Sequence, residues 1–208
     1  MKRRLAAVLM ADVVGYSRLM EADEAGTLAA VRERRTSVFE PIVDAHGGRI
    51  VKEMGDGILI EFGSAVNAVT AAIELQRRMA EENERLPQTG RIVLRIGINL
   101  GDVIDENGDI YGEGVNIAAR LESLSEPGGV CISAKVHEEV RGKLASTFED
   151  MGEQTVKNIS RPVRAYRSRP GSVGAGHSAT ACSLTRQTGV RMPVRSLISR
   201  SKHSFIHQ

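Results

Sequence analysis

Residues 51–62, VKEMGDGILIEF, set two apolar-rich runs on either side of Gly-Asp-Gly. That pattern is a strong short-range signal for two antiparallel strands joined by a two-residue turn, with Asp-Gly as the turn pair. A hairpin at this point restricts what can surround it. Strands that follow one another directly do not fit strict βα alternation, so phosphatase-like and receiver-like α/β folds are excluded. Before the hairpin, residues 5–12 form a continuous apolar run ending in Asp12, as in a strand buried on both faces. Leu28, Val31, Arg35, Val38, Phe39 and Ile42 recur at helical spacing across 27–46, and Gly47-Gly48 stops that helix.

After the hairpin, Ser64 is placed to cap a helix with Val66, Val69, Ile73 and Met79 on one face, and Pro87 and Gly90 mark its exit. RIVLRIGINLGDVI, 91–104, alternates as a strand does, whereas DENGDIYGEG, 105–114, is expected to be a loop. A helix over 115–124, a short strand GVCIS, a helix over 134–144 and two short closing strands complete the chain's ordered part. The order is β-α-β-β-α-β with αβ additions at the C-terminal end. This is an α+β fold with a ferredoxin-like, palm-type core.

Of the chain's 208 residues, 41% are hydrophobic but only 3% aromatic, with no Trp, so Ala, Val, Ile, Leu and Met must build the core. Cys131 and Cys182 have neither disulfide-framework nor metal spacing. The start, MKRRLAAVLMADVVGYS, has the basic and apolar beginning of a signal peptide, but Asp12 interrupts it and no cleavage region follows. A cytoplasmic protein without a membrane span is expected. The net charge of +2 conceals a division, because residues 154–208 contain no Asp or Glu. The first 153 residues are therefore acidic, which argues against a nucleic-acid partner. Residues 169–208, rich in Ser, Arg and Gly, are expected to be a disordered basic tail behind a domain spanning 1–168.

Several residues could carry chemistry. Asp12 ends a strand, Asp56 sits at the hairpin tip, and the first and third strands of such a fold can lie side by side. Two carboxylates share a site comfortably only around a cation, and hard oxygen donors favour Mg²⁺ or Mn²⁺. Gly15 in VVGYS would let backbone N–H groups close around an anion, although the Walker pattern is absent. Asn116 and Arg120, four apart on one helix face, suit sugar hydroxyls and phosphate; the competing reading is a solvated face with Arg120 paired to Glu113 or Glu122. His46, His137 and Cys131 are expected to be structural.

Taken in order, ADVVGYS, VKEMGDGILIEF, RIGINLGDVI and DIYGEGVNIAARLESLSEPGGVCIS resemble the catalytic domain of class III nucleotidyl cyclases. The resemblance runs from about Arg4 to Tyr166 and is greatest to compact bacterial adenylate cyclases with a shortened dimerisation loop. It implies ATP as substrate, cyclic AMP as product, two Mg²⁺ (or Mn²⁺) per active site, and a head-to-tail homodimer whose sites are shared between chains. It places metal ligands at Asp12 and Asp56, an adenine-reading pair at Lys52 and Asp109, a ribose-orienting residue at Asn116 and a transition-state arginine at Arg120. Asp12 and Asp56 would come from one chain and the other four from its partner. Two departures accompany the match: Asp102 stands where some relatives carry a phosphate-binding Arg, and Lys157 in TVKNIS matches a phosphate-binding Lys loosely. A catalytically silent, nucleotide-binding regulatory domain is the alternative, whereas a diguanylate cyclase would require a different hairpin motif.

Overall fold

The computed structural model describes residues 2–155, 159 and 161–168. Lys157 and the 169–208 segment lie outside the described residues. Strand β1 (Lys2–Val13) is followed by helices α1 (Tyr16–Ala22), α2 (Glu24–Arg34) and α3 (Glu40–Ala45), then by the hairpin β2 (Gly48–Met54) and β3 (Gly57–Phe62). Helix α4 (Ala65–Glu84), strand β4 (Leu94–Glu106), strand β5 (Asp109–Tyr111) and helix α5 (Glu113–Leu124) come next. Strand β6 (Val130–Ser133), helix α6 (Ala134–Val140) and strands β7 (Glu149–Gln154) and β8 (Val163–Ser168) complete the domain.

One sheet holds the strands in the order β2-β3-β1-β4-β6-β8-β7, with β5 paired to β4. The β2-β3-β1-β4 part is the expected ferredoxin-like arrangement, and it sets β1 antiparallel beside β3. Ala6 to Ala11 of β1 are all buried, as an unbroken apolar run covered on both faces must be. Their side chains alternate between two clusters. Ala7, Leu9, Ala11 and Val13 pack with residues of α3, α4 and α6, while Ala6, Val8 and Met10 pack with β5 and α5. Helix α5 lies hard against β4. A Cβ on Gly97 would stand 2.1 Å from the Glu122 nitrogen and 2.3 Å from the Ala118 oxygen, so glycine alone permits this approach.

Three expectations are corrected. The hairpin turn consists of Gly55 and Asp56, because Met54 pairs with Gly57. Gly55 carries the positive φ of 67°, as suits a Gly-X turn rather than an Asp-Gly one. Residues 105–114 are not a loop throughout: β4 and β5 form a second hairpin around Asn107-Gly108, with φ of 54° and 84°. An Asn-Gly pair with both φ positive is a favoured two-residue turn. The helix expected over 27–46 is instead α2, a π turn at Arg35–Phe39, and α3. Pro41 has no N–H to continue the ladder, and Thr36 and Ser37 hydroxyls donate to Arg32 and Glu33 carbonyls just before it. Helix α1 is an element beyond those expected, and Tyr16 and Leu19 pack it onto the core.

Candidate active site

In β1 the even-numbered residues face α5, and Asp12 continues that set one step beyond Met10, opposite Arg95 of β4. Asp56 arrives beside it because β3 neighbours β1 and the Gly55-Asp56 turn projects from that strand pair. The Asp12 carboxyl is pushed up to about 6, first by burial and then by the negative charge of Asp56 and a hydrogen bond with it. The Val13 backbone and the Arg95 guanidinium oppose that rise. A carboxyl held up by burial and a neighbouring carboxylate is part of a donor set that a hard cation relieves. Among the described residues no group of three or more His, Cys, Asp or Glu converges to hold an ion. Two carboxylates nevertheless suit an ion that completes its shell with water and substrate phosphate.

The same corner also holds Arg95 and Glu122, the latter expected only as a surface partner of Arg120. Glu122, on the inner face of α5, is 9% exposed, and its carboxyl is pushed up to about 7 by burial and by Asp12. Arg95 acts on both Asp12 and Glu122, and its buried Nε has no hydrogen-bond partner among the described residues. A lone arginine in an alternating strand and an acid in a helix gave no local sign of this convergence.

At a second place, Lys52 of β2 and Asp109 of β5 meet, with Lys52 Nζ donating to Asp109 Oδ2 at 2.7 Å. A bulge between Ile50 and Lys52 interrupts the β2–β3 ladder just before the lysine. The β4–β5 hairpin reaches over to β2, where Arg49 Nη1 donates to the Gly108 carbonyl at 2.7 Å. Lys52 holds the Asp109 carboxyl below the usual carboxylate range, and Asp109 in turn raises the Lys52 ammonium. Asn116 is exposed and Arg120 half-buried. Gly114, Ala118, Leu121 and Glu122 face the sheet, which leaves Asn116 and Arg120 together on the outer side of α5. Neither forms a side-chain hydrogen bond or ion pair among the described residues, so the pairing of Arg120 with Glu113 or Glu122 is not found.

Gly15 has φ 69° and ψ 30° and opens α1 without a side-chain cap. Asp102 is exposed on β4 opposite Leu5. His46 Nε2 lies 3.0 Å from Glu74 Oε2, and the His137 ring stacks on Tyr166 with centroids 3.9 Å apart. Cys131 is buried in the core, where desolvation pushes its thiol up to about 12 and keeps it unreactive. No helix among the described residues is long and apolar enough to cross a membrane.

The model of the adenylate and guanylate cyclase catalytic domain matches residues 2–167. A Rhizobium meliloti (strain 1021) protein named "Putative adenylate cyclase 3" is 53% identical over 169 residues, covering 81% of this chain and 29% of the relative. An adenylate cyclase from Streptomyces coelicolor is 38% identical over 141 residues, covering 66% of this chain and 34% of the relative. The chain thus spans about a third of the length of these curated relatives. Among solved structures, an adenylate/guanylate cyclase/hydrolase from Silicibacter pomeroyi matches with a TM-score of 0.75 and 45% identity, over 82% of this chain and 99% of the other. The adenylyl cyclase CyaB from P. aeruginosa matches with a TM-score of 0.68 and 27% identity, over 81% and 96%. By its sequence match and its fold, the chain belongs to the adenylate and guanylate cyclase catalytic-domain family.

Proposed function

We propose that this protein is an adenylate cyclase that converts ATP to 3′,5′-cyclic AMP and pyrophosphate, at sites shared between two copies of the chain. The observation that carries the choice of base is the 2.7 Å contact between Lys52 and Asp109. An ammonium beside a carboxylate complements adenine, whose N1 accepts and whose N6 amino group donates. Guanine presents the reverse, an N1–H donor and an O6 acceptor, and is disfavoured. Asp12 and Asp56 would hold the divalent cations, two per site. When bound, these ions would lower the pKa of the ribose 3′-hydroxyl and neutralise the departing pyrophosphate.

The chain's own residues do the rest. Asn116 holds the ribose so that its 3′-oxygen approaches the α-phosphorus in line with the departing pyrophosphate. Arg120, which has no acidic partner among the described residues, donates to the charge that develops on the α-phosphoryl oxygens. Sharing between chains is supported by the way the charges group. Asp12 and Asp56 lie with Arg95 and Glu122, whereas Lys52 and Asp109 pair with each other and with Tyr111. A head-to-tail dimer would bring one chain's first group to its partner's second.

The test is turnover of the purified full chain with ATP or GTP, each with Mg²⁺ or Mn²⁺. Metal-dependent cyclic AMP formation is expected, with Asp12→Ala and Asp56→Ala each losing more than about tenfold. Nucleotide binding without turnover under every metal condition would refute the enzyme and favour a regulatory domain.

A further inference from the structure

We propose that Tyr111 is a positioning residue for base selection, its hydroxyl holding the Asp109 carboxylate in the orientation that accepts the purine amino group. The proposal rests on the assignment of Lys52 and Asp109 as the pair that reads adenine. Asp109 and Tyr111 stand two apart on β5, so their side chains share a face of that strand. Ile110 between them is 2% exposed and anchors the strand in the core. The Tyr111 hydroxyl donates to Asp109 Oδ2 at 2.8 Å, and the Ile110 backbone N–H donates to Oδ1 at 2.8 Å.

Lys52 is the third donor, 2.7 Å from the same Oδ2. To reach a purine N1 it has to turn away from Asp109, and its site on Oδ2 passes to the amino group. Of the side chains on that oxygen, Tyr111 then remains. Without its hydroxyl the carboxylate would keep one backbone donor and could rotate about its terminal torsion, which has no sharp staggered wells. A rotating carboxylate is a poorer acceptor for adenine and a weaker repellent for guanine O6. The phenol lies beside both readers, with Lys52 Nζ over its ring at 5.8 Å from the centroid. Tyr111 is 47% exposed, so its hydroxyl is open to an incoming nucleotide. A tyrosine hydroxyl is protonated at neutral pH and so donates there, and Asp109 raises the Tyr111 pKa further.

Tyr111→Phe keeps the ring and the strand while removing the hydroxyl. With the full chain, kcat and KM are measured for ATP and for GTP, alongside Asp109→Asn. In Tyr111→Phe the KM for ATP should rise by roughly 3- to 10-fold with kcat within about twofold, so that preference for ATP over GTP falls by the same factor. Unaltered preference in Tyr111→Phe, with preference lost in Asp109→Asn, overturns the role of Tyr111 while leaving the base-reading pair intact. Unaltered preference in both variants overturns the pair and the inference together. An equal rise in KM for the two nucleotides, or a fall in kcat alone, also overturns it, because either would place Tyr111 outside base selection.

Discussion

Glu122→Gln should make the metal-free protein more stable at pH 8, and much less so at pH 5. Glu122 is 9% exposed on the inner face of α5, where burial and Asp12 move its carboxyl from 4.5 to about 7. Between those two values the folded state binds more protons than the unfolded chain, so stability falls as pH rises through the window. At ~1.4 kcal/mol per pH unit, the displacement amounts to about 3 kcal/mol once both states are ionised at pH 8. At pH 5 only about 1 kcal/mol of it has developed, since that pH lies just half a unit above the unfolded value and near the start of the window. Gln retains the shape of the neutral acid and carries no charge at either pH. For a domain of this size about 3 kcal/mol corresponds to a rise in Tm of roughly 6–12 °C. Thermal unfolding of wild type and variant in a chelator, at both pH values, measures it. A variant no more stable than wild type at pH 8, or a gain that is the same at pH 5, would refute the buried-charge account.

Gly97→Ala should unfold at clearly lower denaturant, by roughly 3 kcal/mol or more, because the new methyl would meet helix backbone at 2.1 Å and 2.3 Å and α5 cannot yield as a side chain would. Activity should fall with it, since α5 carries Asn116 and Arg120. Asn83→Ala should cost about 2–4 kcal/mol in urea unfolding, because Asn83 donates to the Ile92 carbonyl at 2.8 Å and accepts from its N–H at 3.0 Å. Asp56→Ala and Arg120→Ala should each be inactive alone, yet regain about a quarter of wild-type activity when mixed and allowed to exchange. About half of the dimers would then be mixed, each with one intact site of two. Continued inactivity after exchange has been verified with tagged chains would place both residues in one chain's site.

The strand character of 5–12, the hairpin at 51–62, the Ser64 cap and the helix bearing Asn116 and Arg120 were legible in the sequence. Each depends on neighbours a few residues apart, and period, cap and turn chemistry act at that range. The same range should have revealed the β4–β5 hairpin, whose Asn107-Gly108 turn was hidden by the glycines and acids around it. Pro41 likewise warned of a broken helix. The motifs also ranked Asp12, Asp56, Lys52 and Asp109 as candidates, because their residue types and order match a family. The resemblance also grouped them as Asp12 with Asp56 and Lys52 with Asp109, and tertiary structure supplies the physical means by which each pair meets. Strand order brings β1 beside β3 and so unites Asp12 with Asp56, while the reach of the second hairpin unites Lys52 with Asp109. Arg95, Tyr111 and Glu122 owe their places to register and burial rather than to any pattern in the chain. Desolvation and Coulomb forces act through space, and the carboxyl at position 122 is raised first by its burial and then by Asp12, more than a hundred residues earlier in the chain.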